Sequence, residues 1–187
     1  MERKSARMII MINGAFGVGK TTVSNELQKE VENSMIFDPE EIGSLLGKIL
    51  PVDVMALEAK TGDFQDLELW KQLTVTVAGH IIEQYKVNLI VPMTIRKVEY
   101  FNYIFNGLNK IDEQTYHFCL TAKEGTIFNR LKGRGEEEGN WCFQQTSKCL
   151  KAFKEHDFGE YINTENVPVH TIVQTITEKL KTVEAVK

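Results

Sequence analysis

Apolar positions along this chain follow two rhythms. Solid runs such as Met8-Ile9-Ile10-Met11-Ile12 have the length and continuity of a strand buried on both faces, whereas Val23, Leu27 and Val31 recur at helical spacing. On this basis the sequence predicts strands over 8–13, 35–37, 88–92, 116–121 and 160–163. Helices are predicted over 20–31, 40–49, 64–85, 99–109, 123–132, 141–153 and 168–180. Buried strands alternating with amphipathic helices indicate a parallel sheet covered on both faces, so the expected class is α/β, with five strands in a three-layer α/β/α arrangement. Ligands of such sheets gather beyond the carboxyl ends of the strands, which makes the residues just after each strand the first places to look for a site.

The segment after the first strand is the most specific. Gly14-Ala15-Phe16-Gly17-Val18-Gly19-Lys20-Thr21 fits GxxxxGK[ST], the phosphate-binding loop of nucleoside triphosphate enzymes, and it lies between a strand and a helix as that motif requires. Its glycines let backbone amides and the helix N-terminus converge on phosphate oxygens. Lys20 is then expected on the β and γ phosphates and the Thr21 hydroxyl on Mg2+, with Thr22 next in the same helical turn.

Asp38, after the second strand, precedes Pro39 and reads as a helix N-cap, as a general base for an attacking hydroxyl, or as both. The third strand runs into Pro92-Met93-Thr94-Ile95-Arg96 without the aspartate that often holds Mg2+ there. Metal binding is therefore expected to lean on Thr21, phosphates, water and either Asp38 or Asp63. Thr94 and Arg96 are candidates for holding an acceptor or the transferred phosphate; a surface salt bridge is the simpler reading of Arg96.

Arg130 and Arg134 lie four apart, on one helical face, at the edge of a charged, glycine-flanked stretch suited to a lid near 131–145. One guanidinium can stack on a base and another can neutralise a transferring phosphoryl group, the alternative being ion pairing with Glu136 to Glu138. Asn163 and Thr164 follow the fifth strand, where helix entry is the simpler reading.

Bulk composition narrows the class without sharpening the chemistry. At 187 residues, 42% hydrophobic and 26% charged, the chain fits one globular domain over 1–187. A net charge of −4 offers no overall field for nucleic acid. The N-terminal stretch lacks a signal-peptide core and no apolar run approaches about 18 residues, which points to the cytoplasm. Cys119, Cys142 and Cys149 lack metal-ligand spacing and are expected as free thiols. Asn109-Lys110-Ile111-Asp112 and Asp157-Phe158-Gly159 copy GTPase and protein-kinase motifs but lack the context those motifs need.

These segments together resemble the kinase-like branch of phosphate-loop enzymes, which includes nucleoside monophosphate, shikimate and gluconate kinases and chloramphenicol phosphotransferase. More narrowly, the chain resembles the tunicamycin-resistance protein family. The matching segments are Ile12-Asn13-Gly14-Ala15-Phe16-Gly17, Asp38-Pro39-Glu40, Asp63-Phe64-Gln65 with Trp70 nearby, and Ile90-Val91-Pro92-Met93-Thr94-Ile95. The resemblance implies sheet order 2-3-1-4-5, ATP and Mg2+ as cofactors, and a lid over the phosphates. It also implies Arg130 against adenine, Arg134 on the phosphates, and main-chain groups near Asn163 and Thr164 touching the base.

Two functions stay open. One is an ATP-dependent phosphotransferase acting on a small-molecule acceptor, possible targets being tunicamycin or another nucleoside-like antibiotic. Its catalytic residues would be Lys20, Asp38 and Arg134, and its acceptor residues Asp38, Asp63, Thr94 and Arg96. The other is an ATP-dependent binding protein that sequesters an amphipathic ligand, with Phe101, Tyr103, Ile104 and Phe105 offering peripheral membrane contact. Core packing of that face is favoured by about three to one, because apolar helical faces are usually buried. An ATPase switch acting on a protein partner ranks last.

Overall fold

The fold is organised around strand β1 (Ile9–Gly14), whose six residues are all buried. A computed structural model describes residues 7–59 and 62–185. Strand β1 pairs in parallel with β3 (Asn88–Met93) on one side and β4 (Thr115–Thr121) on the other. The edge strands are β2 (Ser34–Ile36) and β5 (Glu160–Asn163), giving the order β2-β3-β1-β4-β5.

Because successive strand side chains point to opposite faces, β1 feeds two cores at once. Ile10 and Ile12 pack with α1 (Lys20–Glu30), α6 (Glu124–Gly133), α7 (Trp141–Glu155) and α8 (Val169–Ala185). Ile9 and Met11 pack with α2 (Pro39–Ile49), α4 (Glu68–Tyr85) and α5 (Val98–Ile111). Helix α5 turns Ile104 and Leu108 fully into this second core, and Phe101 contacts Phe105, His117 and Phe158, while Tyr103 is exposed.

The structure departs from the sequence expectation in two places that matter for the site. The expected helix over 64–85 is broken: Asp63 caps a 3-10 turn at Phe64–Asp66, Leu67 is extended and buried, and α4 starts at Glu68. Burying Leu67 is what interrupts the helical path. A further helix, α3 (Val52–Glu58), was not expected at all, and none of its residues is buried. A helix without a core-facing stripe leaves no periodic signal to read.

Expectations for the N-terminal stretch fall on residues 1–6, outside the described residues. Among the described residues, no helix is long and apolar enough to cross a membrane.

Candidate functional site

Asn13 is the anchor of the phosphate loop. Its buried side chain accepts from the Gly14 amide (2.8 Å) and the Ile95 amide (2.9 Å), and donates through Nδ2 to the Ile95 carbonyl (3.0 Å). One side chain thereby ties the start of the loop to the segment after β3. Gly17 and Gly19 have φ of +79° and +113°, where side chains are strained. A Cβ at Gly17 would lie 2.8 Å from Leu131 Cγ, so the loop rests directly on α6. At Gly19, the N-cap of α1, a Cβ would meet nothing within 4 Å, which leaves open space over the helix N-terminus for an anion.

Lys20 Nζ donates to the carbonyls of Gly14 (2.9 Å) and Ala15 (3.0 Å), leaving one of its three protons for a ligand. Burial pushes its pKa down to about 8, against the opposing pull of Glu40.

A cleft of about 570 Å³ opens over this loop, walled by residues 16–22 with Asp38, Arg130, Arg134 and Thr164. Gly14 and Ala15 lie buried beneath it and contribute the carbonyls that hold Lys20. Arg130 reaches across from α6, donating to the Val18 carbonyl (3.0 Å), to Thr164 Oγ1 (3.0 Å) and to the Thr164 carbonyl (2.7 Å). All three bonds are made by guanidinium N–H groups, which point outward in its plane.

Arg134 closes α6 and also lines the cleft. The expected alternative, in which the acids after it pair with the two arginines, is not what the chain adopts. Glu138 pairs with Lys132 (2.8 Å), Glu136 accepts from Asn140 Nδ2 (2.6 Å), and neither arginine has an ion-pair partner among the described residues. Asn163 is placed elsewhere: it accepts from the Glu165 amide (2.9 Å) and lines a separate hollow with Lys123 and Lys151. Thr164, one residue on, is 2% exposed and turns inward, since neighbouring residues in extended chain point to opposite sides.

A second, smaller cavity of about 140 Å³ brings Asp63, Thr94 and Arg96 together with Trp141, Gln145 and Cys149. Phe16 and Glu40 line both this cavity and the cleft. Asp63 accepts from the Gln65 amide (3.0 Å), and Gln65 Nε2 donates to the Thr94 carbonyl (2.9 Å), lacing the 3-10 turn to the end of β3. Lys97 bonds both Asp66 and the Tyr100 hydroxyl, which itself donates to Asp66 (2.7 Å). The opposite wall is α7, where Trp141, Gln145 and Cys149 share a face at four-residue spacing. Thr146 Oγ1 donates to the Phe16 carbonyl (3.1 Å), and the Phe16 and Trp141 rings meet edge to face at 5.1 Å. Trp70 Nε1 donates to the Pro39 carbonyl (2.9 Å), which holds the Asp38–Glu40 corner against α4.

Sequence reasoning missed Glu40 and the α7 wall. Glu40 carries a signal, since it stands two residues after Asp38 in the first turn of the same helix. The α7 residues show only ordinary helical spacing. Asp38 is both a cap, accepting from the Glu40 amide (2.9 Å), and a wall of the cleft. Desolvation raises its pKa despite that hydrogen bond. Glu40 stays solvent-accessible at the cleft but is crowded by protein, so desolvation, and then the neighbouring Asp38 charge, raise its pKa too.

Among the described residues, no group of three or more His, Cys, Asp or Glu could hold a metal alone. Mg2+ is commonly held by one or two carboxylates together with phosphates and water, and Thr21 and Asp38 line the cleft beside Lys20.

The fold is the phosphate-loop kinase-like one, and known proteins share it. The tunicamycin resistance protein of Deinococcus radiodurans is similar over 93% of this chain and 95% of its own, at 26% identity and a TM-score of 0.75. A gluconokinase from Sinorhizobium meliloti (13% identity, 97% and 95% covered, TM-score 0.61) shares the fold. So does a shikimate kinase from Bacteroides thetaiotaomicron (16% identity, 93% and 98% covered, TM-score 0.60). No curated protein matches by sequence. The model of the AAA domain family matches residues 10–151, a span that takes in the phosphate loop, Asp38, Glu40, Arg96, Arg130 and Arg134, and the chain belongs to that family.

Proposed function

We propose that the protein is an ATP-dependent phosphotransferase acting on a small hydroxylated acceptor. The observation that carries this reading is the shared wall: Glu40 and Phe16 line both the phosphate-loop cleft and the smaller cavity, so a donor in one and an acceptor in the other meet beside a carboxylate. The loop amides over 17–22 and Lys20 hold the triphosphate; Thr21 and Asp38 hold Mg2+. MgATP supplies the phosphoryl group and the metal charge that neutralises it.

Arg130, braced by Val18 and Thr164, offers a flat face to the base, and Arg134, free of any acid among the described residues, neutralises charge on the phosphoryl group in flight. Glu40 accepts the proton of the attacking hydroxyl, because it alone of the two carboxylates reaches both cavities and its raised pKa improves it as a base. The segment over 131–145 carries Arg134 and Trp141 and forms the lid. Three free thiols and the need for ATP suit the cytoplasm.

Similarity to the tunicamycin resistance protein places tunicamycin among the ligands to test. A second reading, sequestration without transfer, has one observation in its favour: Leu45, Ile49, Val52 and Leu57 are left exposed on α2 and α3, next in the chain to the cavity-lining turn. The deciding experiment incubates the purified protein with MgATP, with and without tunicamycin, nucleosides and sugars, following ADP and the mass of each acceptor. An acceptor that gains one phosphate as ADP appears supports transfer. Tight ATP binding with every acceptor unmodified overturns it in favour of sequestration.

A further inference from the structure

We infer that the protein is a homodimer built on α2 and α3, the apolar side of this helical corner being covered by the same corner of a second copy. The inference is independent of the phosphotransferase reading, and it assigns to a protein partner the face that sequestration would give to a ligand.

Half of the large apolar side chains left exposed among the described residues fall in one short stretch: Leu45 and Ile49 on α2, then Val52, Val54 and Leu57 on α3, at 44% to 78% exposure. Together they present on the order of 500 Å² of apolar surface, the upper end of what a monomer's largest patch reaches. Leu45 and Ile49 share one face at helical spacing, while Ile42 and Leu46 turn the other face into the core. Helix α3 buries none of its seven residues. So short a helix is marginal in water by itself, since most helical stability in proteins comes from packing an apolar face.

The corner is nevertheless held in one place. The buried Ala59 follows α3, and the Glu58 carboxylate accepts from the Glu68 amide at the start of α4 (2.7 Å). Leu50, between the two helices, packs on the core shared by α2, α4 and α5. A fixed surface loses little freedom on docking. Because α2 also carries Glu40 in its first turn, a partner on this corner braces the element that borders both cavities.

Charge identifies the occupant. Lys48 stands three residues before Pro51 at the corner and Asp53 two after it, and neither has an ion-pair partner among the described residues. A twofold axis close to Pro51 sets α2 of one copy against α3 of the other and brings Lys48 beside Asp53 of the partner subunit. An isologous contact makes that pairing in both directions. A bilayer fits worse: Glu41, Asp53 and Glu58 outnumber Lys48 around the patch, whereas an anionic membrane surface attracts basic segments. A standard interface takes about 800 Å² from each partner, which the apolar patch supplies together with an exposed rim of Glu41, Ser44, Lys48 and Asp53.

The test is sedimentation velocity of the full chain from about 1 to about 200 μM in about 0.15 M salt, a span that brackets a Kd on the order of 10 μM. The parent chain is expected to pass from monomer to dimer across it. Val52→Glu with Leu57→Glu places carboxylates on both sides of the contact and should raise the dimer Kd by about tenfold or more. Both side chains are exposed in the single chain, so the monomer should keep its urea midpoint and its MgATP affinity. Lys48→Glu should weaken the dimer by about three- to tenfold, and Lys48→Glu combined with Asp53→Lys should restore it, a rescue that only a contact between these two residues gives.

A chain that stays monomeric at the highest concentration overturns the inference, and so does a dimer indifferent to the paired Val52→Glu and Leu57→Glu changes, whose contact then lies elsewhere. Co-sedimentation of a monomeric chain with vesicles of phosphatidylcholine and phosphatidylglycerol, lost in the same double variant, overturns it in favour of a membrane. None of these readouts needs an acceptor or a transferred phosphate, so a failure here leaves the proposed function untouched, and a failure of transfer leaves the dimer.

Discussion

Replacing Asn13 by alanine tests the link between the two cavities. The side chain is fully buried and makes three hydrogen bonds, to the Gly14 amide and to both backbone groups of Ile95, at 2.8 to 3.0 Å. All three partners are buried, so truncation leaves two donors and one acceptor facing protein. At about 1 kcal/mol net for each bond, and up to about 2 where the orphaned group stays dry, the loss is about 3–6 kcal/mol. A water entering the vacated space restores part of it, which sets the lower figure.

Against a total stability of about 5–15 kcal/mol, Asn13→Ala should fold but unfold in much less urea, measured from the transition midpoint at constant slope. The same variant should weaken both nucleotide and acceptor binding, because the loop and the 94–96 segment lose their common tie. A loss under about 1 kcal/mol with both affinities unchanged would refute the anchoring role.

Four further outcomes follow from the same geometry. Burial draws the Lys20 pKa down to about 8, so the free protein loses its ammonium as pH rises through that value. ATP affinity should therefore fall above about pH 8 with proton uptake on binding, read by calorimetry in buffers of different ionisation enthalpy, and Lys20→Met should lack the slope. Desolvation lowers the His117 pKa from 6.5 to about 4, so between those values the unfolded chain binds more protons than the folded one. Stability should drop by the order of 3 kcal/mol as pH falls through that window, and His117→Phe, set among Phe101 and Phe158, should abolish the drop in urea melts. Gly17→Ala forces a side chain into φ of +79° and against Leu131, and should cost about 1–3 kcal/mol by thermal melting together with weaker ATP binding. Arg130→Met removes the tie between Val18 and Thr164 and should raise the ATP Kd roughly ten- to hundredfold with little change in acceptor affinity; equal losses for both ligands would count against its place beside the base.

Local patterns in the sequence determined the sheet, the helices that cover it and the phosphate loop, because each is written in neighbouring residues. The run from Met8 to Ile12, bounded by the glycine loop, reads as a strand buried on both faces, and glycines, Lys20 and Thr21 at fixed spacing need no distant partner to be recognised. Thr94 and Arg96 after β3 were legible for the same reason, and the chain gathers them with Asp63 around one cavity, whereas Asp38, expected in the same set, lines the larger cleft.

Only tertiary structure decided the rest. Helix α3 buries nothing and so left no periodicity; Leu67 breaks the long helix for the sake of a distant core. Glu40 became the carboxylate common to both cavities because Trp70 pins its corner of α2 to α4. Asn163 and Thr164 parted company on a side-chain direction set by pairing with β4. Arg130 found its partners on Val18 and Thr164, 112 and 34 residues away, rather than among the adjacent acids. Contacts at such separations depend on the packing of elements, and no window of sequence contains them.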